Sequence, residues 1–329
     1  MRPKPNNSSS TIIAKAGKFN CAGAKLCAKH GRARSIRLRR APSPLGKFLR
    51  AGLLIILCAH RIPGADLQQL KSQAEAGDAQ SQFILGQMFY EGRTVAKDYK
   101  QAEKWLRPAA EKNLPLAQLF LGKILSNSSY PSQDDIEAFK WMRRAAENDV
   151  TEAQFSLGAM YEKGLGVERD SAEAAKWYRK AADKKHPEAQ FKIGEACLLA
   201  TNYVEAAKWF QKAAAQNHAR AQFKLGNFYY DGIGVTQDPI IAARWFRKAG
   251  ELGVSEAQFN LGLMYVKGVG VKKNLVESYA WFTLASRSGS RIALDNREAL
   301  AEKLTPEQIV EAHNLADKLA EKMKSNTAP

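Results

Sequence analysis

All six tryptophans stand at nearly one spacing: Trp105, Trp141, Trp177, Trp209, Trp245 and Trp281, in steps of 36, 36, 32, 36 and 36. A glycine series runs beside them, at Gly86, Gly122, Gly158, Gly194, Gly226 and Gly262. A glutamine precedes each glycine by four: Gln82, Gln118, Gln154, Gln190, Gln222 and Gln258. Three series locked in one register are internal repetition, and a fixed period of about 20–50 residues marks a stacked array of small units. Residues 78–289 are therefore six copies of one unit.

Each unit reads as two helices. In the third copy, helix A is "TEAQFSLGAMYEK" and helix B is "SAEAAKWYRKAADKK". Helix A brings Phe155, Leu157 and Tyr161 near Ala153 and Gly158. In helix B, Ala174, Trp177, Ala181 and Ala182 fall at i, i+3, i+7 and i+8, one apolar stripe. Asp170 suits the N-cap of helix B, with Glu173 at N3 to close a capping box. The device recurs as Asp98/Gln101, Asp134/Glu137, Asn202/Glu205 and Asn274/Glu277, and the fifth copy places Pro239 behind Asp238 at the first helical position. Phe83, Leu119, Phe155, Phe191, Phe223 and Phe259 recur at one helix A position and read as core. Small residues let neighbouring helices approach, and the tryptophan is expected to fill the space between them.

No single helix pair buries such stripes, so stacking supplies the core and the ends need caps. Residues 66–77 read as an N-terminal capping helix in which Ala74 aligns with Ala182. Residues 290–329 read as C-terminal capping helices, the last opened by Thr305 as N-cap, Pro306 at N1 and Gln308 at N3. The fold class is all-α: an α/α superhelical solenoid of about six 36-residue helix-turn-helix repeats with capping helices. Two copies depart from the pattern. The second has "SNSSYPSQD" where a glycine loop belongs, and the fourth is four residues short. A kink, or a gap in the row of long loops, is expected at the fourth copy.

The unit "AQFSLGAMYEKGLGVERDSAEAAKWYRKAADKK" resembles the Sel-one-like repeat, a relative of the tetratricopeptide repeat, and the resemblance covers about two-thirds of the chain. It implies a right-handed superhelix used mainly as an adaptor surface for partner proteins. It also implies frequent export in bacteria, with action at the envelope, sometimes near peptidoglycan or host contacts. Some cysteine-rich relatives carry a disulfide in each repeat and are linked to β-lactam binding; this chain lacks that cysteine pattern.

The net charge of +17 raises the question of nucleic acid, but its distribution answers for the body. Residues 1–65 hold 14 Lys/Arg and no Asp or Glu, which leaves 36 basic and 33 acidic groups in the rest. A body so near neutrality has no broad field to attract phosphates. Residues 1–50 lack any apolar period and read as a disordered basic segment. Within residues 51–65, the uncharged run Ala51 to Ala59 is too short to span a bilayer. It suits the core of a signal peptide behind Lys47 and Arg50, with cleavage near Ala59 or Ala65. An organelle transit peptide and a basic arm that binds nucleic acid are the rivals. No transmembrane span is expected after processing, and the localisation read is periplasmic or secreted, against organelle-imported or cytoplasmic.

Catalytic, cofactor and metal sites are expected to be absent. "GLGV", "GIGV" and "GVGV", at Gly164, Gly232 and Gly268, follow helices rather than strands and lack the residues of a phosphate loop. They read as hinges: one glycine ends helix A in a left-handed conformation, the next permits the turn, and the valine tucks into the core. His186, His218 and His313 read as solvated residues. Cys197, the body's lone cysteine, reads as packed on a buried stripe, and the sequon at Asn127 reads as a plain loop. The candidate partner groove is the position after each series glycine, which varies among copies: Gln87, Lys123, Ala159, Glu195, Asn227 and Leu263. Two functions compete with a protein-binding scaffold. One is an envelope hydrolase of the β-lactam or peptidoglycan class. The other is nucleic-acid binding through the N-terminal arm.

Overall fold

The computed structural model describes residues 64–131 and 133–327, and all regular structure among them is helical. Helix α1 (Gly64–Glu75) leads into six A–B pairs. These are α2 (Ala79–Glu91) with α3 (Tyr99–Glu111), α4 (Pro115–Leu125) with α5 (Asp135–Glu147), and α6 (Thr151–Lys163) with α7 (Ser171–Asp183). They continue as α8 (Pro187–Leu199) with α9 (Tyr203–Ala214), α10 (Ala219–Asp231) with α11 (Pro239–Glu251), and α12 (Ser255–Lys267) with α13 (Leu275–Arg287). Helices α14 (Arg291–Ala301) and α15 (Pro306–Thr327) close the array. Each helix packs on its pair mate and on the next helix in the chain, which is the arrangement of an α-solenoid. The expectations for residues 1–63 lie outside the described residues.

Capping residues set the helix starts. Asp98, Asp134, Asp170, Asn202, Asp238 and Asn274 each accept a backbone N–H from the first turn of helix B. The reciprocal half of the expected capping box is not made. The N–H of Asp170 donates instead to the Tyr161 carbonyl of helix A, and the same bond recurs at every other helix B cap. The N3 carboxylates are thereby released for other bonds: Glu137 and Glu277 each accept the indole N–H of the tryptophan one turn on. Among the described residues, only Thr305 and Gln308 exchange both arms of the box.

Gly92, Gly164, Gly232 and Gly268 end their A helices in the left-handed region. The B-to-A turns form a second left-handed column, Gly77, Asn113, Asp149, Lys185, Asn217, Gly253 and Gly289. The residue after each donates five residues back, as His186 N–H does to the Ala181 carbonyl, which is the Schellman closure.

Two interactions repeat through the core. Each series glutamine is buried, and its Nε2 donates to a carbonyl near the end of the preceding B helix: Gln82 to Ala74, Gln118 to Ala110, Gln154 to Ala146, Gln190 to Ala182, Gln222 to Ala214 and Gln258 to Gly250. Each series glycine seats the residue that follows a tryptophan. A Cβ on Gly158 would lie 2.8 Å from the Tyr178 ring, and one on Gly194, Gly226 or Gly262 would lie 2.6 Å from Phe210, Phe246 or Phe282. Leu106 and Met142 take the same seats on Gly86 and Gly122. All six seated side chains are buried. The tryptophans are less uniform: Trp281 is fully buried, Trp141, Trp177 and Trp209 are buried, and Trp105 and Trp245 are half-buried. The space between paired helices is thus filled by the tryptophan's neighbour.

The two irregular copies differ as their loops do. In the second, Tyr130 is buried and donates its hydroxyl proton to Glu103 at 2.6 Å, while Asn127 accepts the Ser129 N–H in a local turn. In the fourth, Ala200–Asn202 closes the α8–α9 turn with Thr201 in the left-handed region at φ 56°. Past the last pair, α15 runs along α13 and reaches α11. Its Ala312 and Ala316 are buried, Asp317 pairs with Arg287 at 2.7 Å, and Lys322 pairs with Glu251 at 3.0 Å.

Candidate functional site

The repeat places Gln87, Lys123, Ala159, Glu195, Asn227 and Leu263 at one position of successive A helices, all half-buried. Three of the six face a partner on the next A helix. Lys123 pairs with Glu152 at 3.2 Å, Glu195 with Arg220 at 3.9 Å, and Asn227 accepts from Asn260 at 3.4 Å. Gln87 bonds Glu91 within its own helix, and Leu263 packs against the cluster of Tyr279 and Phe282. Lys123, Glu195 and Asn227 thus form polar rungs between neighbouring A helices. The side chains of the Lys123–Glu152 pair are 31% and 45% exposed, and ion pairs in that setting contribute about 0–1 kcal/mol. A partner carrying charge can replace such rungs at little cost.

The histidines are not solvated turn residues, as the sequence led us to expect. His186 is the N-cap of α8: Nδ1 accepts the Ala189 N–H at 3.2 Å, Nε2 meets Glu152 at 3.1 Å, and the ring stacks on Phe155. His218 repeats the arrangement one copy on, with Ala221, Glu188 and Phe191. Their side chains are only 15% and 11% exposed. An Nδ1 that accepts leaves the proton on Nε2, which donates to the carboxylate. The bond from His186, aided by the Lys123 ammonium, holds the Glu152 carboxyl down at about 2 against the pull of burial. Glu162 is also lowered: burial raises it, but the Tyr178 hydroxyl and Lys192 outweigh that. Helix α6 thus keeps fixed negative charge beside the row, at Glu152 and Glu162. His313 is half-buried beside the Tyr279 hydroxyl, and Cys197 is half-buried between two core clusters.

Away from this row, the tryptophans carry cations. Arg144, Lys180, Lys212 and Lys248, each three residues past a tryptophan, lie over Trp141, Trp177, Trp209 and Trp245. Two depressions of about 510 and 390 Å³ open beside Trp177 and Trp209. They are the same place one copy apart: Ala146, Gln154 and Lys180 line the first, and Ala182, Gln190 and Lys212 the second, with Asp183 shared. Among the described residues, no group of three or more His, Cys, Asp or Glu is placed to hold a metal ion, and no helix is long and apolar enough to cross a membrane.

The model of the Sel1 repeat matches residues 79–114, 115–150, 151–186, 187–218, 219–254 and 255–290. A Sel1 repeat protein from Oxalobacter formigenes is 32% identical, with a TM-score of 0.66 over 78% of this chain and 77% of that one. The c5321 protein, a protective antigen present in uropathogenic Escherichia coli strains, is 34% identical with a TM-score of 0.72. That match covers 79% of this chain but only 56% of the other. The secretory immunoglobulin A-binding protein EsiB of Escherichia coli is 36% identical over 58 residues, 18% of this chain and 12% of EsiB.

Proposed function

The chain belongs to the Sel1 repeat family, whose members generally serve as protein-interaction scaffolds, and on that premise we propose a non-enzymatic adaptor that binds a protein partner at the bacterial envelope. The partner lies along the A-helix row of Gln87, Lys123, Glu195 and Asn227. One observation carries this reading: a frame kept regular by glutamine, glycine and capping residues holds a row whose residues differ from copy to copy, and its charged members Lys123 and Glu195 are tied by exchangeable rungs. Solenoids bind extended or helical segments through many such modest contacts. For the location, the supports are the apolar run Ala51 to Ala59 behind Lys47 and Arg50, and the likeness to an immunoglobulin-binding protein and a protective antigen.

Two measurements test it. Cross-linking of the tagged full chain in its host identifies the bound protein, and the double charge reversal Lys123→Glu with Glu195→Lys should cut its recovery at least about tenfold, since each 1.4 kcal/mol is a factor of ten. Unchanged recovery, with the helical content intact, removes the row as the binding surface. Mass spectrometry of the mature protein should find a new N-terminus near Ala59 or Ala65. An intact Met1 or Arg2 overturns export by cleavage.

A further inference from the structure

The chain covers the sixth-copy counterpart of the depressions that stay open beside Trp177 and Trp209. In the sixth copy the counterparts of Trp209, Gln190, Asp183 and Lys212 are Trp281, Gln258, Glu251 and Leu284. Helix α15 lies over them. Ala316 is buried in the cluster that holds Trp281 and Leu284, and Leu315, Leu319, Ala320 and Met323 pack against it. Met323 reaches Gln258, whose Nε2 stands 3.8 Å from its sulfur, and it fits above Gly253. Lys322 caps the contact with its ion pair to Glu251. Under this helix the tryptophan is fully buried. In the third and fourth copies, Lys180 and Lys212 lie across the indole rings at 3.8 and 3.6 Å.

We infer that the depressions beside Trp177 and Trp209 form a second docking site, and that its occupant is an amphipathic helix of a partner protein built on the plan of α15. The helix presents an Ala/Leu/Met stripe to the two indoles and a lysine or arginine near its carboxyl end to Asp183. Three observations fix that chemistry. The tryptophan, the glutamine and the acid of the fourth-copy depression, Trp209, Gln190 and Asp183, have as counterparts Trp281, Gln258 and Glu251, which α15 already covers. Asp183 is exposed, borders both depressions, and stands where Glu251 receives Lys322. Lys180 and Lys212 cover the rings with flexible stems, whose ammonium groups can move to solvent as a helix settles. Helix-in-groove recognition needs such an apolar stripe with flanking charges. Apart from Gln154 and Gln190, this site is lined by the B helices and their turns and shares no residue with the A-helix row, so it stands or falls independently of that row.

The test uses the full chain and, as probe, a fluorescent peptide of residues 306–327. The peptide should bind saturably, and Asp183→Lys should weaken binding at least about tenfold. A peptide carrying Lys322→Glu should restore it on that variant. Lys212→Leu, which installs the residue of the sixth copy, should tighten binding several-fold. The inference is overturned if the peptide does not bind. It is equally overturned if Asp183→Lys leaves binding unchanged while Glu251→Lys abolishes it, because the peptide is then exchanging with α15 at its own seat.

Discussion

The third and fourth copies are built on one plan and differ in the link between their helices. In the third, the loop from Gly164 to Asp170 carries Gly166 in the left-handed region, so close to the Asp135 carbonyl at the start of α5 that a side chain there would collide. The fifth and sixth copies do the same with Gly234 on Tyr203 and Gly270 on Pro239. The fourth has only Ala200–Asn202, no glycine, and Leu199 84% exposed. The start of α7, which a longer loop would cover, is exposed at Ser171 and Ala172. The seat within each pair and the glutamine bond to the preceding pair do not change. Gly194 seats Phe210 as Gly158 seats Tyr178, and Gln190 bonds Ala182 as Gln154 bonds Ala146. The seat holds a pair together and the glutamine bond joins every pair to the one before, whereas the glycine loop is a further tie to the copy before that the fourth copy lacks.

The strongest way to break that distinction is to empty a seat. Phe210 is fully buried, and Phe210→Ala should destabilise the chain by about 3–5 kcal/mol in denaturant titration. Hydrogen exchange should rise first in α8 and α9 and then in the adjoining copies, because stability in such arrays passes between neighbours. A cost below about 1 kcal/mol, the ordinary level for a point change, would show that the loops rather than the seats fix the pair.

A smaller effect separates the two loop glycines. At Gly164 an added Cβ has 3.5 Å of room, so Gly164→Ala carries the left-handed penalty alone, about 1–2 kcal/mol. At Gly166 the same penalty is joined by the collision with the Asp135 carbonyl, a group of the preceding copy. Gly166→Ala should therefore cost more, and the excess measures the tie between copies. Equal losses from the two variants would mean that the loop contributes no such tie.

Much of this was legible in the sequence because it is local or periodic. The capping column Asp98, Asp134, Asp170 and its equivalents, the left-handed glycines and the six pairs can all be read from spacing. The glutamine series was visible without its purpose, since its partner is a carbonyl of the preceding helix and carries no side-chain signature. His186 and His218 were misread for the same reason: the carboxylates they meet, Glu152 and Glu188, belong to the helix one copy earlier. A signal was available. Both histidines stand in the column where Asp78 and Ser290 also cap an A helix with a side chain. The seat of α15 had no such signal, because a helix outside the repeat has no equivalents to align. The candidate row could be numbered from the repeat, but its rungs, which depend on residues about 30 positions apart, could not.

The shortest link gives the finest test. Thr201 takes the left-handed conformation that glycine takes elsewhere, and a β-branched side chain is poorly suited to it. Thr201→Gly removes the crowding but gives the unfolded chain more freedom, so its gain should stay under about 1 kcal/mol. Thr201→Asn tolerates the same backbone without that entropic loss and should gain at least as much. In a folded body of this size, 1 kcal/mol corresponds to a rise in melting temperature of about 2–4 °C, which calorimetry resolves. If both variants lower the melting temperature, the threonine side chain is itself part of what closes the fourth copy. The compact turn would then count as a second kind of tie rather than the absence of one.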